Sequence, residues 1–264
     1  MARELRRLLI TPQRLAQSAA QDDDRASGVL LPLTEPERHY LLRVLRQRDG
    51  DPVAVVDGRG GLWTARLEEG VRLRLEQPLA APLRRDAAPR PLLELALALP
   101  RRDGELVWRM ATELGIDRFV PLRARRCVLQ GRPPLERWHS VINEACEQCE
   151  RLWRPELQEP EEALPWLAEN RGQVGFLATT RVEALPSLAS RLADQQAPDA
   201  VVTVAIGPEG GWSPEEEAAA LGSGWRAVSL GPLILRSGTA AVAAAVQLAG
   251  WRQDMQTWSG NLRT

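Results

Sequence analysis

Lysine is absent from this 264-residue chain, so all 34 of its basic side chains are arginines, set against 35 acids. Arginine contacts phosphate bidentately and stacks on bases, so an arginine-only complement suits an RNA partner. Cysteine is nearly as scarce: Cys127, Cys146 and Cys149 are too few for a disulfide framework and fit a reducing compartment. With only two histidines in the chain, Cys146-x-x-Cys149 cannot be completed to a four-ligand zinc site at a standard spacing, and the pair is read as small buried helix residues. No apolar run approaches the roughly 20 residues that cross a bilayer. The N-terminal stretch MARELRRLLITPQ lacks the apolar core and cleavage site of a signal peptide, so a cytosolic protein is expected, with no membrane partner. Neither GxxxxGK[ST] nor GxGxxG occurs, which excludes the common phosphate cradles. Phe and Tyr together number three against nine Trp. Trp108, Trp138 and Trp225 lie in apolar patterns and are expected in the core rather than as base-stacking platforms.

The net charge of −1 hides an asymmetry. Residues 1–154 hold 27 Arg and 22 acids, a net of +5, whereas residues 155–264 hold 7 Arg and 13 acids, a net of −6. An RNA partner is therefore expected on the N-terminal side and not around the acidic C-terminal third.

Up to about Leu75 the pattern is short half-buried antiparallel strands, Val53–Val56, Leu62–Leu67 and Val71–Leu75, separated by Asp57-Gly58, Gly60-Gly61 and Gly70. One helix interrupts them, from about Glu35 to Arg48, opened by a Thr34/Glu37 capping box. At 100° per residue His39, Arg43 and Arg46 share one stripe, with Leu41 and Leu45 opposite. The stretch APLRRDAAPR reads as a linker. Beyond it, strands (Leu92–Leu99, Arg118–Leu122, Gln173–Ala178) alternate with helices (Glu105–Leu114, Leu135–Arg151, Glu161–Glu169, Leu185–Ala193), with a turn at Arg101–Gly104. That alternation implies a mostly parallel sheet covered on both faces, an α/β fold.

Two strand-loop-helix units then follow, each pivoting on Gly-Pro: VVTVAIGPEGGWSPEEE and AVSLGPLILRSGTAAVAAAVQLAG. Glycines 207, 210 and 211 let the first loop approach a ligand closely. Ser213-Pro214-Glu215-Glu216 makes a capping box with proline at the first helical position. Thr239 can cap the helix that follows the second loop. The loops offer backbone polar groups and apolar walls, suited to an uncharged purine ring. The small-residue stretch Ala240–Ala249 implies a buried helix, internal or at an interface.

IGPEGGWSPEE followed by LGPLILRSGTAA resembles the paired cofactor loops of the RsmE family, SPOUT-superfamily methyltransferases that act on N3 of a uridine in 16S ribosomal RNA of the small ribosomal subunit. HYLLRVLRQRDGD, VVDGRGGLWTA, MATELGIDRFVPLRARRC and INEACEQCERLWRPEL extend the likeness over most of the chain. The resemblance implies a small PUA-like RNA-binding β-barrel over 1–79, a linker over 80–90, a deep-trefoil-knot domain over 91–256 and a tail over 257–264. It implies S-adenosylmethionine as cofactor, no metal, and a homodimer. Implied cofactor residues are Leu177, Ile206, Gly207, Pro208, Glu209, Gly210, Leu230, Gly231, Leu235, Arg236 and Thr239; implied RNA contacts are Arg7, Arg43 and Arg46. For catalysis it points to Arg236 as charge stabiliser and Glu209 as base or cofactor-orienting group. The sequence departs from the family at Gly238 (usually Glu), Met110 (usually Lys), Arg125 (usually Glu) and Trp153 (usually Arg). A non-catalytic RNA-binding assembly factor that keeps the fold is the second reading.

Overall fold

A computed structural model of the protein describes residues 5–21, 28–100, 104–128, 133–169, 174–180, 182–196 and 198–261, with backbone alone for 257–261. The expected turn at Arg101–Asp103 and the strand start at Gln173 lie outside the described residues. The chain forms two units. The first comprises residues up to Ala88 together with Cys146–Arg154, the second Pro89–Ala145 and Pro155 onward.

The first unit runs β1 (Arg7–Leu9), α1 (Pro12–Gln21), β2 (Leu30–Pro32), α2 (Glu35–His39), a π-helical turn over Tyr40–Val44, β3 (Pro52–Val56), β4 (Gly61–Glu68), β5 (Arg72–Leu75) and β6 (Arg84–Arg85). Its sheet order is β1-β3-β4-β5-β2, with β6 also on β4. The ladders are antiparallel apart from β1 with β3, which is parallel. The implied barrel has no ladder joining β2 to β1 among the described residues. β4 alternates, so Trp63, Ala65 and Leu67 point into a core with Leu31, Leu41, Val53, Val55 and Leu73.

Three sequence expectations change here. Arg84 and Arg85, read as linker, pair with Leu62 and Gly61 and so join the sheet. Helix α1 was not read from the sequence, because its inward face is made mostly of small residues and only Leu15 of its ten residues is buried. The helix expected to reach Arg48 stops at Val44: Leu45 N–H bonds to Tyr40 O at 2.9 Å, a five-residue step that widens the last turn. The 100° projection therefore lapses, and Arg46 lies beyond the helix with φ 54°.

The second unit runs β7 (Leu92–Ala98), α3 (Gly104–Glu113), β8 (Arg118–Arg123), α4 (Leu135–Gln148), β9 (Glu156–Leu157), β10 (Glu161–Glu162), α5 (Ala163–Ala168), β11 (Val174–Ala178), α6 (Leu188–Ala193), β12 (Val201–Ile206), α7 (Pro214–Gly222), β13 (Arg226–Val228) and α8 (Ser237–Asn261). All its ladders are parallel, in the order β10-β8-β7-β12-β11-β13 with β9 also on β8. Helices α3 and α6 each pack on α8, and α8 lies on β7 and β12, while α5 packs on α7. Near-continuous burial along β7 and β12 is what a strand covered on both faces requires. Gly115, at φ 96°, ends the α3 segment in the left-handed conformation. Trp108 meets Phe119 and Trp138 at ring-centroid distances of 5.1 and 5.4 Å, and Trp166 meets Trp225 at 5.2 Å, so these tryptophans are core.

The chain leaves the second unit along α4 and returns at Pro155. Residues 152–154 add to the 58–60 turn of the first unit: Gly60 N–H bonds to Leu152 O and Arg154 N–H to Gly58 O, both at 3.0 Å. Helix α8 is 25 residues long, so its backbone includes much of the segment read as a tail.

Candidate active site

A cavity of the second unit lies where β11, β12 and β13 end, the carboxyl edge at which open α/β sheets take ligands. Its volume is about 690 Å³, within the range of small-molecule sites. Both Gly-Pro loops wall it. Ile206, Gly207, Pro208, Glu209 and Gly210 come from the first, and Leu230, Gly231 and Leu235 from the second, as the sequence suggested.

Each loop is held by identifiable bonds. Trp212 folds under the first loop and donates its indole N–H to Ala178 O at the end of β11, 3.1 Å away. Gly207 makes room for it, since a Cβ there would stand 3.1 Å from the indole nitrogen. Gly211 supplies the left-handed turn, φ 72°. The Ser213 capping box is complete: Ser213 N–H donates to Glu216 Oε2 at 2.7 Å and Glu216 N–H to Ser213 Oγ at 3.2 Å. In the second loop, Ser237 donates its hydroxyl to Glu209 Oε1 at 3.3 Å, which joins the two loops through side chains.

Three proposed cofactor residues are not on the wall. Leu177 is 1% exposed and packed among Ala96, Ala205 and Trp212, because β11 turns it into the core; Ala178 and Thr179 take its place. Arg236 and Thr239 are exposed on either side of the first residues of α8. Thr239 is not the cap, because the helix starts at Ser237 and the Arg236 carbonyl already accepts the Ala240 N–H at 2.8 Å.

The structure also adds residues. Arg126, three residues beyond β8, lines the cavity and donates Nη1 to the carbonyls of Gly210 and Trp212 at 2.9 and 3.0 Å, which clamps the first loop. Thr179 and Glu217 line the wall as a hydrogen-bonded pair. Neither was singled out in the sequence: Arg126 is one of several arginines after a strand, and Glu217 is indistinguishable from an ordinary acid in a helix's first turn.

Of the proposed RNA contacts, Arg43 and Arg46 are exposed and make no ion pair among the described residues. Arg7 differs. Its guanidinium reaches Glu150 Oε2 at 2.5 Å and the Glu150 carbonyl, and its side chain is 12% exposed, so its charge is already engaged. The four departures have local partners. A Cβ at Gly238 would stand 3.4 Å from Val107 Cγ2, and Arg125 pairs with Glu215 at 3.0 Å. Trp153 covers Gly60 and donates to Asp86 O at 3.1 Å. Met110 is half-buried on α3.

Cys146 is buried, and burial pushes its thiol up to about 12, which keeps it protonated and inert. Cys127 is likewise raised, by burial first and then by the nearby carboxylates of Glu209 and Glu216. No group of three metal-ligating side chains occurs among the described residues, and no described helix is long and apolar enough to cross a membrane.

The second unit is thus a parallel sheet with a loop-walled cavity at its carboxyl edge, joined in one chain to a small β unit. A family model for an RNA methyltransferase domain matches residues 88–249, and one for an RNA methyltransferase PUA domain matches residues 33–73. A ribosomal RNA small subunit methyltransferase E from Synechocystis is 35% identical over 92% of this chain and 76% of the relative. One from Mycobacterium bovis is 30% identical over 83% of this chain and 85% of the relative. A Legionella pneumophila structure solved with the bound cofactor SAM superposes with a TM-score of 0.77 at 26% identity, covering 94% of this chain and 98% of that one. The chain belongs to the ribosomal RNA small subunit methyltransferase E family, RsmE.

Proposed function

We propose that the protein transfers a methyl group from S-adenosylmethionine to N3 of a uridine in 16S rRNA of the small ribosomal subunit. The observation that carries this reading is the cavity of about 690 Å³ walled by both Gly-Pro loops. Its lining suits a cationic nucleoside: backbone groups and apolar side chains for a purine, and the carboxylate of Glu209 for positive charge. When bound, the cofactor supplies an electrophilic methyl group on sulfonium. The chain's own residues must orient the base, exclude water and manage charge. N3 loses its proton as the N3–methyl bond forms and the methyl–sulfur bond breaks. Glu209, oriented by Ser237, accepts that proton, and Arg236 stabilises the charge spread onto the uracil oxygens. The intact, clamped cavity favours an enzyme over an assembly factor without catalysis.

In the same reading the second unit carries the deep trefoil knot. Its support is that the chain runs out to β13 at the sheet edge and returns through α8 to β7 and β12. The protein works in the cytoplasm as a homodimer, for which Val246 on α8 and Leu106 on α3, 51% and 44% exposed, offer apolar surface. Sedimentation should give twice 29.3 kDa, and a clean monomer at micromolar concentration would remove the dimer.

The first unit reads the RNA through exposed cations. Arg43→Ala combined with Arg46→Ala should weaken binding to small-subunit RNA and reduce its log–log salt slope by about 0.7–0.9 per arginine. Cofactor affinity should not change. Filter binding across a salt series measures both, and an unaltered slope would mean that neither arginine meets phosphate. Mass spectrometry of 16S rRNA from cells with and without the gene tests the function itself: one uridine should lose a methyl group at N3, and an unchanged modification pattern refutes the proposal.

A further inference from the structure

Three glutamates stand in sequence in the first turn of α7, and two of them are committed. Glu215 pairs with Arg125 at 3.0 Å. Glu216, 2% exposed, accepts N–H bonds from Ser213 and Arg125 at 2.7 and 2.8 Å. Glu217 has neither a cation nor a structural donor of that kind. It is half-buried, lines the cavity and accepts one bond only, from the Thr179 hydroxyl to Oε1 at 2.9 Å. Its second oxygen, Oε2, has no hydrogen-bond partner among the described residues.

Both members of the pair are held by backbone. Glu217 N–H bonds to Ser213 O at 3.0 Å within the capped turn, and Thr179 N–H to Val228 O at 3.2 Å at the end of β13. The pair is therefore fixed between two strand ends and a capped helix, and it faces the cavity. A partly desolvated carboxylate with no cation is costly unless donors reach it. An ionised carboxylate only accepts, so the missing group must be a donor.

We infer that Glu217 and Thr179 are the ribose-binding pair of this site, taking the two neighbouring hydroxyls of the cofactor's ribose. The inference rests on the S-adenosylmethionine reading above. Thr179 Oγ1, having donated its proton to Glu217, keeps lone pairs, so the wall presents two acceptors a hydrogen-bond length apart. Two hydroxyls on adjacent carbons match that spacing. A single ammonium would leave the neutral threonine oxygen redundant. A carboxylate on a ribose hydroxyl is also the device that dinucleotide-binding α/β folds use at their own sheet edge.

The test is calorimetry on the full-length protein with S-adenosylhomocysteine and with 5′-methylthioadenosine, which keeps the ribose but lacks the ammonium and carboxylate. Glu217→Gln preserves shape and should weaken both ligands by the same factor, about 10- to 100-fold, as expected for losing bonds to a charged acceptor. Thr179→Val should weaken both by a smaller common factor. The 2′,3′-dideoxy analogue should bind wild type more weakly and lose little further on Glu217→Gln. Unchanged urea midpoints keep the comparison on binding. If only S-adenosylhomocysteine is weakened, the carboxylate holds the ammonium and the ribose assignment is wrong. If neither ligand is weakened, the pair is structural. If wild type binds neither ligand, the cofactor reading fails first and this inference falls with it.

Discussion

Arg236→Ala is expected to lower the single-turnover rate of methyl transfer by roughly 10²–10³-fold, the effect of losing one donor aimed at a developing oxyanion. RNA affinity and cofactor affinity should stay close to wild type. Arg236 is exposed, bears no ion pair among the described residues and sits between Leu235 and Ser237, both on the cavity wall. Its carbonyl opens α8, so its guanidinium stands at the positive end of a 25-residue helix. A cation placed there without a partner is locally unfavourable, and no packing role repays it. The charge is best explained by something that arrives from outside, such as the oxygens of a uracil entering beside the second loop. In the proposed mechanism Arg236, which is not among the wall residues, meets the base rather than the cofactor, so the effect is expected on rate rather than on cofactor capture. Arg236→Lys should recover part of the rate, since charge survives and the planar fork does not. Wild-type turnover by Arg236→Ala would remove Arg236 from the catalytic set.

How much of this was legible depended on how local each signal was. β12 could be read from Val201–Ile206 alone, and the start of α7 from Ser213, Pro214 and Glu216, because strand burial and capping are written within a few residues. The end of the arginine-bearing helix was not, since a π-helical turn at Tyr40–Val44 leaves the hydrophobic period nearly intact while changing which side chains line up. Nothing in the pattern announced that 152–154 would pair with 58–60, and a two-residue strand such as Arg84–Arg85 carries no alternation to detect. Within the site, loop residues were found because glycine and proline mark loops, while Arg126 and Glu217 gain meaning only from what the fold brings beside them. Leu177 shows the converse: one residue along a strand separates the wall from the core, and an apolar run buried on both faces does not say which of Leu177 and Ala178 meets the ligand.

The largest effect on stability is expected far from the cavity, at Arg252→Ala, which should cost about 3–5 kcal/mol, the range for breaking a buried ion pair from one side. Arg252 projects from α8 to Asp117 at the entry of β8, the two side chains being 12% and 6% exposed. Its other bonds go to backbone carbonyls, Gly115 at 2.6 Å and Pro91 at 3.3 Å. Asp117 also accepts the Leu93 N–H at 2.9 Å, so the one guanidinium ties α8 to the starts of β7 and β8 and to the cap of α3. Removing it takes the cation from a buried carboxylate, which keeps the Leu93 N–H, and a donor from two carbonyls, and solvent reaches too little of the site to replace what is lost. Against a typical total of about 5–15 kcal/mol, that loss would leave many domains marginal at growth temperature. Arg252→Met combined with Asp117→Leu should recover a large part of it, because an apolar pair leaves no unpaired charge. Recovery will be incomplete, since the Gly115 carbonyl loses its donor in both variants and the Leu93 N–H loses Asp117 in the double. Urea denaturation of the single and double variants separates these terms, and a single-variant loss below about 1 kcal/mol would mean that water or a neighbouring group satisfies Asp117.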